Sequence, residues 1–270
     1  MPTAPVTCEL VDSSGPISLS TAGIWVRRPQ WPRISAHIED PLDVQLAEQE
    51  SVAALGGLLR VIAGHCVSPA DALQAARWKL PQLHLASRLG FLVPPTIVTS
   101  DPLRAHDFAT GRTCVVKAVA DARVGEGPEE RVGLTELVGA DIDWSDVRHA
   151  PVVIQEAVNK RADLRITAVG RRLFAINIMT PEGAAIDFRS ADADECDYEV
   201  VDLPRGLADG CREFLDFYGL RYGAFDFAVD HHGEPWFLEC NPSGQWGWLE
   251  AMTGAPITAS LVDLLLEVRK

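Results

Sequence analysis

The stretch Gly223-Ala-Phe-Asp-Phe-Ala-Val-Asp-His-His-Gly-Glu-Pro-Trp-Phe-Leu-Glu-Cys-Asn-Pro-Ser-Gly244 decides which fold the chain is expected to adopt. Two apolar runs, Tyr222 to Val229 and Pro235 to Glu239, flank the turn-forming segment Asp230-His-His-Gly-Glu234. Two apolar runs around a glycine-containing turn predict an antiparallel β-hairpin. The remaining elements are placed around this hairpin.

Three polar side chains of the hairpin predict a site for a hard divalent cation. Because successive side chains point to opposite faces of a strand, Glu239 shares a face with Asn241 while Cys240 points away. Asp226, on the partner strand, shares its face with Ala224. Carboxylate and amide oxygens suit Mg²⁺ or Mn²⁺ held partly by substrate phosphates, and they exclude a typical zinc or copper site. Acids flank many hairpins without binding a metal, but these lie between large apolar residues, where an unpaired carboxylate is costly, so we predict a metal site.

The composition predicts a folded protein that does not bind nucleic acid. The chain has 270 residues, 47% of them hydrophobic and 23% charged, which is enough to bury a full core. Its 24 lysines and arginines stand against 38 acidic residues, giving a net charge of −14. Nucleic-acid binding needs a basic stripe, and none is visible in the sequence. The length suits one large domain or two small ones.

The sequence shows neither a membrane segment nor a secretion signal. No apolar run approaches the roughly 20 residues that a spanning helix needs. The first residues lack the basic-then-apolar order of a signal peptide, so we expect a cytoplasmic protein without a membrane partner. Six cysteines are scattered without a CxxC pair, and we predict them to be small buried hydrophobes rather than a disulfide framework or a zinc site.

Hydrophobic periodicity and turn signals predict an α+β fold with two antiparallel layers and helices on one side. Gly170-Arg171, between two apolar runs, predicts another hairpin, and residues 121–132 are predicted to form a loop. The other predicted strands are Thr7–Val11, Ile24–Val26, Thr96–Thr99, Thr113–Val119, Val152–Gln155, Leu164–Val169 and Leu173–Ile178, and the predicted helices are Asp43–Ala63, Ser68–Gly90, Arg205–Tyr218, Gln245–Met252 and Ile257–Val268.

The metal hairpin resembles that of the ATP-grasp ligases. The resemblance lies in Asp226 followed by Glu239-Cys-Asn-Pro-Ser-Gly244. It implies the ATP-grasp fold, in which two α+β subdomains clasp ATP, with Asp226, Glu239 and Asn241 as ligands of Mg²⁺ or Mn²⁺. ATP is then the expected cosubstrate.

Two lysines resemble the residues with which ATP-grasp ligases contact the nucleotide phosphates. Lys117 lies on a predicted strand before a glycine-containing loop, and a lysine buried on a strand needs an anion nearby. Lys79 resembles a second phosphate-contacting lysine, although Trp78 stands where the family usually has an aspartate. A solvated helix lysine explains Lys79 nearly as well.

The segment Ile154-Gln-Glu-Ala-Val158 resembles the adenine-binding hinge of these ligases. The resemblance implies that backbone groups up to Val158 read the adenine edge, with Gln155 or Glu156 nearby. Asp163 resembles the acid that holds the ribose hydroxyls. Strand alternation alone would also allow a surface ion pair between Asp163 and Arg165.

A nearer resemblance is to the ATP-grasp ribosomal peptide maturases that make microviridins and other graspetides. Asp187-Phe-Arg-Ser190 is similar to their Asp-Trp-Arg segment and to the Asp-Phe-Arg segment of ribosomal-protein glutamate ligases of the RimK type. The resemblance implies that the chain activates carboxylates as acyl phosphates and forms lactones or lactams in a precursor peptide with a leader and an acidic core. It also suggests a homodimer. Similar blocks are Val26–Pro29, Asp163–Gly170 and Asn241–Glu250.

The resemblance implies three regions and shows two departures. Residues 1–76 would form a shortened N-terminal pre-ATP-grasp region, residues 77–158 a small lid subdomain with its linking helix, and residues 159–270 the C-terminal subdomain with the metal site. Maturases of this kind usually carry a longer N-terminal region. Many ATP-grasp ligases also carry an arginine at the position of Ala224, so the catalytic oxyanion role is predicted for Arg165 or Arg189.

Two other functions are compatible with these motifs. The first is a RimK-like or small-molecule amino-acid ligase with the same fold. The second is a degenerate ATP-grasp module that binds a leader peptide without catalysis, which the short N-terminal region and Ala224 would favour. The intact set of metal-ligand side chains argues against the second.

Overall fold

The computed structural model describes residues 10–12, 15–17, 23–27, 32–120, 123–124, 131–132, 135–139, 142–180 and 195–268. Within these ranges the strands form a five-stranded sheet, a four-stranded sheet and two two-stranded ladders, all antiparallel. The strands are β1 (Leu10–Asp12), β2 (Gly15–Ile17), β3 (Thr96–Thr99), β4 (Cys114–Ala118), β5 (Arg123–Val124), β6 (Arg131–Val132), β7 (Glu136–Val138), β8 (Val152–Glu156), β9 (Lys160–Val169), β10 (Arg172–Met179), β11 (Asp197–Val200), β12 (Tyr222–Asp230) and β13 (Pro235–Asn241).

Helix ends in the described segments follow local capping chemistry. The carboxylate of Asp40 accepts the backbone N–H of Leu42 at 2.8 Å, and Pro41 occupies the first helical position. At the C-terminal end of the helix Arg205–Tyr218, Gly219 adopts a left-handed conformation with a φ of 72°. The α-helices are α1 (Pro41–Val61), α2 (Ala70–Ala75), α3 (Lys79–Arg88), α4 (Pro102–Ala109), α5 (Arg205–Tyr218), α6 (Gly247–Thr253) and α7 (Ile257–Val268).

The single helix predicted from Ser68 to Gly90 is wrong, because the chain breaks it into α2 and α3. Proline has no N–H, and inside a helix its ring clashes with the carbonyl one turn earlier. Pro81 would lie in the middle of one long helix, whereas it occupies the first turn of α3, where the missing N–H costs nothing. Trp78, in an extended conformation, separates the two helices.

The five-stranded sheet has the order β11-β10-β9-β12-β13. Helices α6 and α7 pack on part of one face, and α3 and α5 pack on the other. On the face that packs on α5, Phe214 of that helix contacts Phe225 and Phe237, and Phe227 contacts Phe237. The ring centroids in these three contacts are 5.4–5.6 Å apart. All four rings are fully buried. A rigid apolar layer therefore supports the opposite face of the same strands, which carries the polar side chains described below.

The four-stranded sheet has the order β3-β8-β4-β7 and packs on α4 and on a 3₁₀ helix at Ser145–His149. Ala105 and Ala109 of α4 pack with Ile154 and Trp144 in this smaller core. The sequence-based prediction missed α4, although Asp101-Pro102 has the same cap-plus-proline pattern that marked other helices. The prediction also missed β7 and β11.

The α+β fold is confirmed, and most of the predicted elements are present, with ends that differ from the prediction by a few residues. Thr96–Thr99, Arg205–Tyr218 and Ile257–Val268 have the predicted limits. The predicted strand Ile24–Val26 is instead a single bridge to Cys66, and the predicted loop 121–132 contains the β5–β6 pairing. Residues 7–9 lie outside the described segments.

The five cysteines of the described segments are buried, and none of them forms a disulfide with another: Cys66, Cys114, Cys196, Cys211 and Cys240. Among the helices that the structure describes, none combines the length with the apolar character that crossing a bilayer requires. Both observations concern the described ranges alone.

Candidate active site

Asp226 lies at the centre of the polar face of the five-stranded sheet. Its cross-strand neighbours are Arg165 on β9 and Glu239 on β13, so three charged side chains form a row across three strands. In the next row Ala224 pairs with Asn241. The structure therefore brings Asp226, Glu239 and Asn241 together on one face of the hairpin.

A β-bulge follows this charged row. Asp226 pairs with Glu239, but the next residue, Phe227, pairs with Phe237, which leaves Leu238 without a cross-strand partner. Such an extra residue changes the direction of the strand and of the side chains beside it. The orientation of the end of β13, including Glu239, therefore depends on contacts on its outer edge.

Arg165 is a buried guanidinium held by Asp226. Its Nη1 donates to both carboxylate oxygens, at 2.5 and 2.6 Å, and its Nη2 donates to the backbone oxygen of Gln245 at 3.4 Å. Burial has the largest influence on the pKa of Arg165 and lowers it, but the Asp226 carboxylate, assisted by Tyr222 and Glu239, outweighs burial and raises the pKa. Arg165 is therefore charged, and its Nε has no partner among the described residues.

The loop after Asn241 passes over this row at Gly244. The backbone oxygen of Gly244 accepts the buried hydroxyl of Tyr222 at 2.7 Å. A Cβ at Gly244 would lie 2.5 Å from the Cβ of Ala224 and 2.8 Å from Nη2 of Arg165, so no larger residue fits without displacing the loop. The same contact explains Ala224, because an arginine in its place would occupy the space of Gly244.

The side chains present fit a hard divalent cation. Asp226 and Glu239 supply carboxylates, and the Oδ1 of Asn241, which accepts the N–H of Ser243 at 2.9 Å, keeps a second lone pair. Glu239 is half-buried and has no hydrogen-bond or ion-pair partner among the described residues. No group of three His, Cys, Asp or Glu side chains gathers in the described segments, so an amide oxygen completes this donor set.

Lys117 lies on the inner face of the four-stranded sheet beside Gln155. Its Nζ donates to the Oε1 of Gln155 at 2.9 Å, and the Nε2 of Gln155 donates to the hydroxyl of Thr96 at 2.9 Å. Gln155 is buried, with 2% of its surface exposed. The network fixes the ammonium group of Lys117 at the surface of the sheet, and Thr96 is a member that the sequence did not predict.

Lys79, the first residue of α3, reaches across to the same strand. Its Nζ donates to the backbone oxygen of Ala118 at 2.9 Å, one residue beyond Lys117. The side chain is half-buried rather than fully solvated. The structure therefore brings the two predicted lysines to one end of β4.

The backbone N–H groups at the end of β8 and in the hinge after it differ in whether they are hydrogen-bonded. The N–H groups of Glu156 and Ala157 donate to the oxygens of Pro95 and Thr113, at 2.9 and 2.8 Å. The backbone N–H of Val158 has no partner among the described residues. A cavity of about 300 Å³ borders this hinge, and it is lined by Pro94, Pro95, Glu156, Ala157, Val158, Asn159, Asp230, His231, His232 and Trp236.

The side chain of Glu156 does not share the face of Gln155. Strand alternation turns Glu156 outward, where its carboxylate lies 3.4 Å from the Nε of Arg112 and both side chains are about two-fifths exposed. Asp163, in contrast, is buried at the start of β9, and the Nζ of Lys160 donates to its two oxygens at 2.7 and 2.6 Å. The surface ion pair with Arg165 that alternation allowed is therefore absent, because Arg165 pairs with Asp226.

Solved structures share this arrangement of sheets. The macrocyclase MdnC from Microcystis aeruginosa, bound with precursor peptide MdnA, is 26% identical over 95% of this chain and 82% of its own, with a TM-score of 0.81. A RiPP-associated ATP-grasp ligase from Chryseobacterium gregarium, in complex with ADP and a leader and core peptide, is 27% identical over 96% and 80%, with a TM-score of 0.82. The chain has the ATP-grasp fold.

A third structure with this fold carries the metal. The ATP-grasp ligase PsnB, complexed with a phosphomimetic minimal precursor, Mg and ADP, is 25% identical over 85% of this chain and 71% of its own, with a TM-score of 0.69. No family model matches the sequence, and no curated protein matches it either. The likeness is therefore found at the level of structure.

One predicted site residue lies outside the described segments. Arg189, with Asp187 of the same motif, lies in residues 181–194, outside the described segments. Its proposed role therefore depends on the sequence alone.

The sequence did not predict that an arginine packs against two indole rings beside the row of Arg165, Asp226 and Glu239. The guanidinium of Arg27 lies 4.9 Å from the ring centroid of Trp246 and 5.5 Å from that of Trp25. Arg27 is exposed and forms no ion pair with another described residue. Trp246 follows Gln245, whose backbone oxygen accepts from Arg165, so this cation lies on the loop that closes the site. Its signal in the sequence is Trp246, close to the β12–β13 hairpin, whereas Trp25 lies 221 residues earlier and Trp248 instead contacts Tyr198.

Proposed function

We propose that this chain is an ATP-dependent ligase that joins side chains within a ribosomally made precursor peptide. The observation that carries the proposal is the row of Arg165, Asp226 and Glu239, which holds a buried cation beside two carboxylates suited to a divalent cation. MdnC and the Chryseobacterium gregarium ligase, which have the same fold, are bound to precursor, leader or core peptides, and this supports a peptide substrate.

The nucleotide would lie between the two sheets. Lys117 and Lys79 are near each other at one end of β4 and would contact its phosphates. The backbone N–H of Val158, which has no partner among the described residues, would donate to the adenine edge, with Gln155 nearby on the inner face of the four-stranded sheet. Asp163 would hold the ribose hydroxyls. Glu156 takes part through its backbone, since its side chain points to the outer face.

Asp226, Glu239 and Asn241 would hold Mg²⁺ or Mn²⁺, which PsnB, complexed with Mg and ADP, supports. When bound, the cation would neutralise phosphate charge and align the phosphoryl group for transfer. Asp226 would serve both the cation and Arg165, since a carboxylate offers about four lone-pair positions and Arg165 uses two.

The reaction has two balanced steps. A carboxylate oxygen of the peptide attacks the γ-phosphorus of ATP, the bond to the bridging oxygen breaks, and ADP leaves. A hydroxyl or amine of the same peptide then attacks the acyl carbon and loses its proton, and inorganic phosphate leaves. Arg165 stabilises charge on the transferred phosphoryl group, and Arg189 stabilises the oxyanion of the second step. The peptide loses one water for each ester or amide formed.

An acidic core fits the local charge around the loop that closes the site. The whole chain carries a net charge of −14, which would repel an acidic peptide at long range. Arg27 presents a cation on Trp25 and Trp246 and has no acidic partner in the described part of the chain. This exposed guanidinium would attract a carboxylate of the core towards Arg165.

Two organisational proposals accompany the function. Residues 77–158, with the four-stranded sheet, would act as the lid, residues 159–270 as the subdomain with the metal site, and residues 1–76 as the preceding region.

The chain would also form a homodimer through α1, which exposes Leu42 and Leu46 one turn apart. Light scattering should give a dimer mass, and Leu42→Glu together with Leu46→Glu should give a monomer. A monomeric parent chain would rule out the dimer.

The decisive experiment incubates the purified chain with ATP, Mg²⁺ and the candidate precursor peptide encoded beside its gene. The expected product has lost the mass of one or more waters, and ADP release should depend on the peptide. Added hydroxylamine should trap the acyl phosphate as a hydroxamate on an Asp or Glu side chain. A matched peptide with amides in place of these acids should stimulate no ADP release.

The outcomes separate the competing functions. ADP release with free amino acids but with no precursor peptide would indicate a small-molecule ligase. Addition of glutamate to a protein would indicate a RimK-like ligase. Tight peptide binding without ADP release under any of these conditions would indicate a non-catalytic binding module, and the proposed activity would be refuted.

A further inference from the structure

The outer edge of β13 is completed by a side chain rather than by another strand. Cys240 pairs with Phe225 of β12, but its backbone N–H and oxygen point away from β12. The N–H donates to the Oε1 of Gln82 at 2.7 Å, and the oxygen accepts from the Nε2 of the same amide at 2.8 Å. One amide of α3 thus makes the two hydrogen bonds that a neighbouring strand would make.

Gln82 is held in this position from its own side. It is 3% exposed, and its Nε2 also donates to the backbone oxygen of Ala76, at the end of α2, at 2.5 Å. Each of the three hydrogen bonds is therefore shielded from water, and a buried amide loses much when it loses its partners. Gln82 is the buried polar residue of α3 on a face otherwise formed by Leu83, Leu85 and Ala86.

The position of this contact connects it to the candidate metal site. Cys240 lies between Glu239 and Asn241, two of the three proposed ligands. The bulge at Leu238 leaves the strand free to change direction immediately before them. One residue before the bulge, Phe237 donates its N–H to the backbone oxygen of Leu92 at 2.7 Å. The outer edge of β13 is therefore fixed both before and after Leu238.

We propose that Gln82 is a positioning residue, whose amide fixes the backbone of Cys240 and so sets the spacing of Glu239 and Asn241 for a divalent cation. This inference rests on the proposed function. It also gives α3 two roles, since Lys79, three residues before Gln82, reaches β4. Groups that orient metal ligands without touching the metal commonly change affinity by about 10- to 100-fold when they are removed.

The test measures metal binding rather than turnover. Mn²⁺ is titrated into the full chain with ADP present, and free Mn²⁺ is followed by electron paramagnetic resonance, with ADP alone as the baseline. Gln82→Met keeps the length of the side chain and removes all three hydrogen bonds. We expect its Mn²⁺ dissociation constant to rise about tenfold, with ADP binding measured without metal unchanged.

Two further variants separate positioning from general stability. Leu85→Ala is the matched control, because Leu85 is buried on the same helix and has no hydrogen bond to β13; we expect it to lower the melting temperature and to leave the Mn²⁺ constant unchanged. Gln82→Glu keeps an acceptor for the N–H of Cys240 and, when ionised, loses the donor to the two carbonyl oxygens. We expect an intermediate rise, and this variant decides the matter if Gln82→Met does not fold.

The results that overturn the proposal are distinct from those that overturn the function. A parent chain that binds no Mn²⁺ beyond the ADP baseline refutes the proposed function itself. A parent chain that binds Mn²⁺, with folded Gln82 variants of equal affinity, refutes the positioning role alone. An equal loss of affinity in Leu85→Ala would show that the helix matters and the amide does not.

Discussion

The two large sheets hold their charged side chains in different ways. On the five-stranded sheet, Arg165 pairs with Asp226, and Lys160 pairs with Asp163, and all four side chains are at most 16% exposed. On the four-stranded sheet, Lys117 donates to the neutral amide of Gln155. Lys79 similarly donates to a backbone oxygen of that sheet.

This difference indicates that the charged pairs of the five-stranded sheet stabilise the fold, whereas the lysines of the four-stranded sheet are available to bind a ligand. Breaking a buried ion pair leaves an uncompensated charge and costs about 3–5 kcal/mol, whereas a typical hydrogen bond contributes about 1 kcal/mol. The five-stranded sheet therefore holds Arg165 and Asp226 in place whether or not a nucleotide is bound. The hydrogen bonds of Lys117 to Gln155 and of Lys79 to Ala118 are made to neutral groups, and each can be exchanged for one to a phosphate oxygen at small cost. Substitutions on the first sheet should affect stability and activity together, and those on the second should affect nucleotide binding alone.

The largest effect is expected for Asp226→Asn. The substitution keeps the shape of the side chain but leaves Arg165 as an unpaired buried charge, so the free energy of unfolding should fall by about 3 kcal/mol in urea titrations. Loss of this proposed metal ligand should also abolish peptide-dependent ADP release. The matched control is Asp216→Asn, which removes the partner of Arg171 from an ion pair whose side chains are 67% and 63% exposed, and this should cost less than about 1 kcal/mol. Equal losses in the two variants would contradict the contrast between buried and exposed pairs.

Lys117→Met tests the four-stranded sheet, where substitutions are expected to affect nucleotide binding more than stability. The substitution removes the proposed phosphate contact and the hydrogen bond to Gln155, so kcat/KM for ATP should fall about 100-fold while stability changes by about 1 kcal/mol. Steady-state ADP release and thermal unfolding measure the two quantities. Arg112→Met is the control: in the turn before β4 it removes the exposed ion pair with Glu156 and one hydrogen bond to Phe108, so it should leave kcat/KM unchanged while stability changes by about 1 kcal/mol. A loss of stability comparable to that of Asp226→Asn would show that the sheets do not differ as described.

Gly244→Ala tests whether the loop over Arg165 is as tightly packed as its distances indicate. The new methyl group would lie 2.5 Å from Ala224 and 2.8 Å from Arg165, so stability should fall by about 1–3 kcal/mol. Activity should fall about tenfold, because the displaced loop also carries Gln245, which accepts from Arg165. Gly247→Ala is the control, since nothing lies within 4 Å of its Cβ and it begins α6. Equal unfolding free energies for the two variants would contradict the packing argument.

Much of the site could be predicted from the sequence because its signals are local. Alternation along β12 and β13 places Asp226 and Glu239 on one face, and the structure pairs them directly. The same reasoning could have separated Gln155 from Glu156, since neighbouring residues of a strand cannot both face the nucleotide. The site roles themselves stay predictions.

The parts that the sequence did not predict depend on contacts between distant residues. Arg165 was expected to stabilise an oxyanion, and its pairing with Asp226 follows only once β12 is known to lie between β9 and β13. Gln82 and Cys240 are 158 residues apart, and a glutamine within an apolar helix face gives no indication of its partner. Helix α4 was missed because eight residues provide too short a window for a periodic pattern.

The smallest effect is expected for Lys79→Met, and it asks how far the second sheet depends on the helices. The substitution removes one hydrogen bond to Ala118 from a half-buried side chain, so the unfolding free energy should change by less than about 1 kcal/mol. If the ammonium group reaches the phosphates, KM for ATP should rise about tenfold, because one charge-assisted contact is worth about 1.4 kcal/mol or slightly more. Arg88→Met, in the last turn of the same helix, is the matched control and should leave KM unchanged. An unchanged KM in Lys79→Met would restrict the nucleotide contacts of the second sheet to Lys117, and α3 would then act on the site through Gln82 alone.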